Sequence, residues 1–415
     1  MKRIPSFRLG GILFGLLFFA VQLFGQILDL QPHQIHFDSP QEAQRFRDWH
    51  HDQLSDPVEL FFSAGAPQAA AERAALQNFL TNDLVDRLPV APTFQRLRRA
   101  FFREYRAVAS FGDALRHREF NCVSSSALTA MVLRRRGERV RVLETPRHIY
   151  VEVWRGNSWT RIETTSEGRA LFHRKKRRDS WVREISLAEL AGLQYFNAGL
   201  QALDDGEVAR AFDLLGRAHL LYPSPRITDM LRHTAGRLGN TGRQKVLTQK
   251  SEAALTDLSR ALVALPEDAF IQHSYAAALL QIAESSPDYR RNHQRCAAAR
   301  REHPFLKTIP EFEQVYADLL LAVAWQALER GDTDAGLHGL AELERELSAH
   351  PEWVQPEMAG AVYGLAWATL VQQGQPQAAK ELLVQGLGFA PHSESLGRKQ
   401  KAMLAMSQGP ADQLR

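Results

Sequence analysis

Apolar and polar residues alternate over residues 148–154: Ile149, Val151 and Val153 fall on one face of an extended chain, and His148, Tyr150, Glu152 and Trp154 on the other. Gly156-Asn157 follows as a two-residue turn of the Gly-first kind, and a second extended run resumes at Ser158. A hairpin turning there pairs Arg155 with Ser158, so that the numbers of paired residues sum to 313. In that register Trp154 faces Trp159, Glu152 faces Arg161, Tyr150 faces Glu163 and His148 faces Thr165. The aromatic pair and the opposite-charge pair each favour it, by a few tenths to ~1 kcal/mol. Glu163 then lies diagonal to His148 on one face, within reach of a long side chain.

Upstream, the period changes from two to that of a helix. Val123, Ala127, Ala130 and Met131 line one helical face, and Leu128, Val132 and Leu133 cover another. Asn121 suits the N-cap, Gly137 the stop, and Arg134, Arg135 and Arg136 the negative end of the dipole, which predicts a helix from Cys122 to about Arg136. Cys122 thus occupies the first helical position, where unpaired N–H groups favour a thiolate and can hold a developing oxyanion. A lone cysteine there is most often a small apolar core residue. The hairpin changes that reading, because it offers an imidazole and a carboxylate in the order a thiol site needs. Cys122 would attack a carbonyl carbon, His148 would take and return the proton, and Glu163 would orient the imidazole.

From about residue 187 the pattern is helical and alanine-rich. Tyr195, Gly206, Ala211 and Pro223 recur at the same offsets as Tyr363, Gly374, Ala379 and Pro391: 11, 16 and 28 residues after the tyrosine. Pro223, Pro266, Pro304, Pro351 and Pro391 punctuate about five helical hairpins. Their spacings of 43, 38, 47 and 40 exceed the ~34 of a regular tetratricopeptide repeat, so helices or loops are expected to be lengthened. Before the cysteine, Pro40 to Trp49 and Pro67 to Leu88 read as amphipathic helices, with Pro89 and Pro92 breaking the chain ahead of a helix from Thr93 to Tyr105.

At 45% apolar and 24% charged residues, the 415-residue chain has a globular composition that fits two or three domains. Lys2, Arg3 and Arg8 precede an apolar run from Ile12 to Phe24, the layout of a secretory signal cleaved near Gly25 or of an uncleaved anchor over residues 9–30. Either alternative puts the body outside the cytoplasm, periplasmic or secreted. With only Cys122 and Cys296 there is no disulfide framework, and Cys296 reads as a core residue. No metal-ligand spacing or cofactor motif is present. The net charge of +4 is modest, and the one strong run, His173 to Arg178, has no interleaved aromatics, which argues against nucleic-acid binding.

Phe120-Asn-Cys at the start of an apolar helix, Arg136-Gly137 and a strand, Pro146-x-His-hydrophobic-x-hydrophobic, and the closing Glu163-Thr-Thr resemble the transglutaminase-like superfamily of papain-like cysteine enzymes. Leu97 to Tyr105 and Phe111-Gly-Asp113 extend the resemblance over roughly residues 92–168. It implies Cys122 as nucleophile, His148 as base and Glu163 as third member, although Glu163 stands where Asp is commoner and no residue matches the upstream oxyanion donor. The repeats resemble tetratricopeptide arrays, which bind partners or act as spacers. Together these imply an α+β papain/transglutaminase-like domain (92–172), a basic linker (173–186), an all-α tetratricopeptide-like solenoid (187–395) and a C-terminal tail (396–415), after a helical N-terminal region (26–91). The expected function is an exported thiol enzyme acting on amide bonds of a peptide or peptide-like polymer, with the repeats binding substrate or a protein partner. The alternative is an exported repeat scaffold carrying an inactive domain of the same fold.

Overall fold

The computed structural model describes residues 28–54, 56–63, 69–81, 89–107, 109–165, 172–173 and 181–407. The predicted export segment, the end of the second N-terminal helix and nearly all of the basic run lie outside the described residues. Residues 28–30, the last three of the predicted anchor, belong to the folded body: Leu30 is buried, and the Leu28 carbonyl accepts a hydrogen bond from Nε2 of His219. Among the described residues, no helix is long and apolar enough to cross a membrane.

The chain is mostly helical, with a small sheet, and divides into two compact units. The first comprises residues 1–238 with 263–265, and the second residues 239–262 with 266–415. In the first unit, helices α1 (Pro40–His50), α2 (Val58–Ser63), α3 (Ala69–Leu80) and α4 (Val90–Phe101) lead to α5 (Phe111–Arg116) and the cysteine-bearing α6 (Cys122–Arg135). α4 starts three residues earlier than expected. Pro92 sits in its first turn, where a missing N–H costs nothing, so that it helps to begin the helix it was expected to precede. The helix also ends earlier, because Glu104–Tyr105 form β1, which pairs in parallel with β2 (Glu119–Phe120).

The sheet has the order β6-β5-β4-β3-β7, with β3 Val140–Glu144, β4 Ile149–Arg155, β5 Ser158–Ile162, β6 Phe172–His173 and β7 Arg183–Ile185. The β4–β5 hairpin has the register read from its turn, with Trp154 opposite Trp159 and Glu152 opposite Arg161. Gly156 takes φ of +59°, the left-handed conformation that a Gly-first turn requires. The two indoles meet edge to face at 5.3 Å, with the Arg139 guanidinium over both. The expected Glu152–Arg161 charge pair does not form. β4 lies between β3 and β5, so Glu152 also faces Arg141, and it pairs with that residue at 2.7 Å. Strand β7 falls within the stretch read as a linker and completes the sheet beside β3.

Five helical pairs follow: α7 (Leu187–Asp204) with α8 (Val208–Leu221), α9 (Pro225–Leu247) with α10 (Ser251–Ala264), α11 (Ala269–Ser285) with α12 (Tyr289–Glu302), α13 (Pro310–Glu329) with α14 (Thr333–Leu347), and α15 (Pro356–Gln372) with α16 (Pro376–Phe389). α17 (Glu394–Ser407) closes the described chain. The five punctuating prolines lie in or open the connections between pairs, and the excess spacing reflects lengthened first helices, 23 residues in α9 and 20 in α13.

The pair α7–α8 belongs to the same unit as the sheet. Gln194 on α7 accepts from the Phe111 N–H and donates to the Phe61 carbonyl, which fastens this helix to α5 and α2. In the corresponding α15–α16 pair the helices approach closely: a Cβ on Gly386 would stand 2.8 Å from the Tyr363 side chain. Tyr363 is fully buried, and its hydroxyl has no hydrogen-bond partner among the described residues. An unsatisfied buried hydroxyl costs stability, so Tyr363→Phe should leave the protein unchanged or stabilise it by about 1 kcal/mol in urea unfolding. A loss of that size would instead reveal a buried partner. Tyr195, at the matching place in α7, donates to Glu42 at 2.9 Å, and its replacement by Phe should destabilise.

Candidate active site

Asn121 caps α6 as expected, and it does more. Its Oδ1 accepts from the N–H groups of Val123 and Ser124, while its Nδ2 donates to the carbonyls of Ala107 and Ala109. One buried side chain thus ties the helix start to the loop before α5. The same bonds limit the first turn as an anion site. Val123 and Ser124 are engaged by the cap, and the Ser125 N–H by the Asn121 carbonyl. Of the first-turn donors, the backbone N–H of Cys122 itself is the one with no partner among the described residues.

His148 stands just before β4 and is positioned by the turn from β3. The Thr145 N–H and hydroxyl both reach the His148 carbonyl, and the His148 N–H donates to the Thr145 Oγ1. The turn is braced from α8: the Tyr222 hydroxyl bonds the buried carboxyl of Glu144, the last residue of β3. Glu163 follows β5, and its Oε1 lies 2.5 Å from Nε2 of His148. With Nε2 so occupied, Nδ1 is the ring nitrogen left for the thiol. Cys122 is partly exposed and lies close enough to His148 to help hold a proton on its ring.

Burial opposes a proton on His148. The neighbouring Cys122 and the bonded Glu163, with their charges, outweigh it and push the imidazole up to about 9. Burial likewise opposes charge on Glu163. The bond and charge of His148, then Arg161 and Thr165, hold its carboxyl below the usual range. Arg161 reaches Glu163 Oε2 at 3.1 Å, with its guanidinium 3.6 Å over the Tyr150 ring, and the Thr165 hydroxyl donates to Oε1 at 3.2 Å.

The structure therefore brings Cys122, His148 and Glu163 together. It adds residues that the sequence reading did not assign to the site. Arg161 turns from Glu152 to Glu163. Ser125 and Ser126, fully buried on α6, bond Thr164 at 2.9 and 3.2 Å and pin the end of the hairpin to the helix. The run Ser124-Ser125-Ser126 in an otherwise apolar helix was the available signal, because buried hydroxyls need partners. Tyr105 stands 54% exposed, edge to face with Phe120 at 5.8 Å. Partial burial and the nearby Cys122 charge both disfavour its ionisation. Cys296 is buried, with its thiol pushed up to about 11 by that burial, as suits a core residue. No group of three or more His, Cys, Asp and Glu residues that could hold a metal occurs among the described residues. A scan against protein-family models gave no match, and a search of curated proteins gave none either.

Proposed function

We propose that this protein is an exported cysteine enzyme of the transglutaminase-like kind, cleaving or exchanging amide bonds in a peptide or peptide-like polymer, with tetratricopeptide-like repeats that bind a partner or substrate. The observation that carries the reading is that His148 bonds Glu163 through Nε2 at 2.5 Å and stands beside Cys122, and both neighbours favour its proton. That is the arrangement of a base held in one tautomer beside its nucleophile.

In the proposed reaction the Cys122 Sγ attacks the carbonyl carbon, and the C=O electron pair moves onto oxygen, where the Cys122 N–H can donate to it. Collapse breaks the C–N bond, and the proton on Nδ1 of imidazolium His148 passes to the departing amine. A water or an acceptor amine then attacks the thioester and gives a proton back to His148, and the C–S bond breaks to restore thiolate and imidazolium. Water gives hydrolysis and an amine gives transfer. Glu163 stays ionised throughout, fixing the ring through Nε2.

Wild type and Cys122→Ala should be compared on a library of peptides and cell-wall fragments, with and without an added primary amine, by mass spectrometry. The expected result is turnover by the wild type that falls at least about a thousandfold in the variant. Equal turnover by the two would exclude thiol chemistry, and none by either would favour a binding scaffold.

A further inference from the structure

We propose, on the thiol-enzyme reading above, that Arg161 is a positioning residue: clamped between Tyr150 and Glu163, it fixes the carboxylate so that a glutamate can orient His148. One face of the hairpin carries His148 and Tyr150 from one strand and Arg161 and Glu163 from the other. The Arg161 guanidinium lies 3.6 Å over the Tyr150 ring and donates to Glu163 Oε2 at 3.1 Å. The other oxygen, Oε1, meets His148 Nε2 at 2.5 Å and accepts from the Thr165 hydroxyl at 3.2 Å. The carboxylate is thus held from both ends, with one oxygen tied to the imidazole and the other tied away from it.

A glutamate has one more rotatable bond than an aspartate, and that freedom is lost whenever the carboxylate holds the ring. Contacts that fix the side chain beforehand reduce the loss. A planar guanidinium suits the task, because it stacks with its face and donates along its edge at once, whereas a lysine ammonium is a point donor. Arg141 holds Glu152 through Nε at 2.9 Å and Nη2 at 2.7 Å, which leaves Arg161 to this clamp. Tyr150 is buried and Arg161 nearly so, so solvent screens these contacts little. Charge and position act on His148 with opposite signs. A cation at Oε2 offsets part of the negative charge that favours the imidazolium, so removing it from an unmoved Glu163 would raise the imidazole. Letting Glu163 swing away from Nε2 would lower it.

The test follows the titration of the His148 ring by NMR of the full chain with isotope-labelled histidine, its signals assigned by their loss in His148→Ala. Arg161→Met and Arg161→Lys should each lower that titration by about one pH unit. With Glu163→Gln already present, adding Arg161→Met should lower it no further, because the arginine acts through that carboxylate. A raised or unchanged value in Arg161→Met would overturn the proposal. So would a wild-type value in Arg161→Lys, which would reduce the arginine to a charge, or an equal further fall in the Glu163→Gln background. Arg161→Lys keeps the charge and the aliphatic stem, so it decides the matter even where Arg161→Met does not fold. None of these measurements depends on turnover. The thiol-enzyme reading can therefore fail separately, by a Cys122 alkylation rate indifferent to His148→Ala, while the titrations still decide the role of Arg161.

Discussion

His148→Ala is expected to slow alkylation of Cys122 by iodoacetamide about tenfold at pH 7. The thiolate is the reacting form, and an ordinary cysteine is only a few per cent ionised at neutrality. Without the imidazole the thiol has no base beside it to take its proton, so the variant should react more slowly. Cys296 serves as an internal control, since its thiol is buried and pushed up to about 11. Peptide mapping would assign the label. Stability supplies a second readout. The folded His148 titrates near 9, above its ordinary 6.5. Its contribution to stability is therefore complete below about pH 6.5 and is lost as pH rises through 9. Wild type should lose stability across that interval, and His148→Ala should lose less. Glu163→Gln should move the upper limit downward, because Glu163 helps to hold the proton on His148. Identical rates and identical pH dependence in wild type and His148→Ala would remove the activated-thiol basis of the proposed function.

The parts of this site that are legible in the sequence are those set by local rules. Asn121 and Gly137 bound the cysteine helix because capping and left-handed φ are short-range demands. The turn Gly156-Asn157 fixes the hairpin register because loop length selects the pairing. What the register cannot decide is which of two neighbours a side chain on a central strand prefers. Glu152 faces Arg141 and Arg161 at once, and no register was read for the strand after Gly137 that brings Arg141. Once Glu152 takes Arg141, Arg161 is released to stack on Tyr150 and bond Glu163. Strands β1 and β7, of two and three residues, are too short to show a period, which is why Tyr105 was read as helix and Arg183–Ile185 as linker. In the helical pairs, prolines punctuate all five, and left-handed turn glycines, Gly206, Gly331 and Gly374, mark three. The fastening of the first pair to the cysteine-bearing helices depends on the single long-range side chain Gln194 and on contacts of the same kind.

Arg217 makes the same point at the largest energetic scale, and Arg217→Met should destabilise the first unit by about 3–5 kcal/mol. This guanidinium is 1% exposed, donates to Asp38 and to the His36 carbonyl at 2.9 Å each, and lies 3.3 Å from Glu42. Next to it, Gly216 leaves the space that Ile35 fills, so that α8 forms the seat of residues 28–42. Removing one partner of a buried ion pair strands the other, here Glu42, whose carboxyl burial already pushes up despite the arginine. Without Arg217 that carboxyl should take up a proton more readily, and the variant should become more stable as pH falls from 8 to about 5. The Asp38 carboxyl, held below its ordinary value chiefly by the Arg217 bond, contributes in the opposite sense in the wild type. Its stabilisation is present above about pH 4 and is lost as pH falls through its depressed value. Glu42→Gln added to Arg217→Met should recover much of the loss, because the stranded charge is its main source. Urea unfolding gives the magnitude, and hydrogen exchange of the α8 amides reports on the first unit specifically. A loss below about 1 kcal/mol, or no recovery in the double variant, would mean that the N-terminal segment is held by its apolar contacts and that the arginine is incidental.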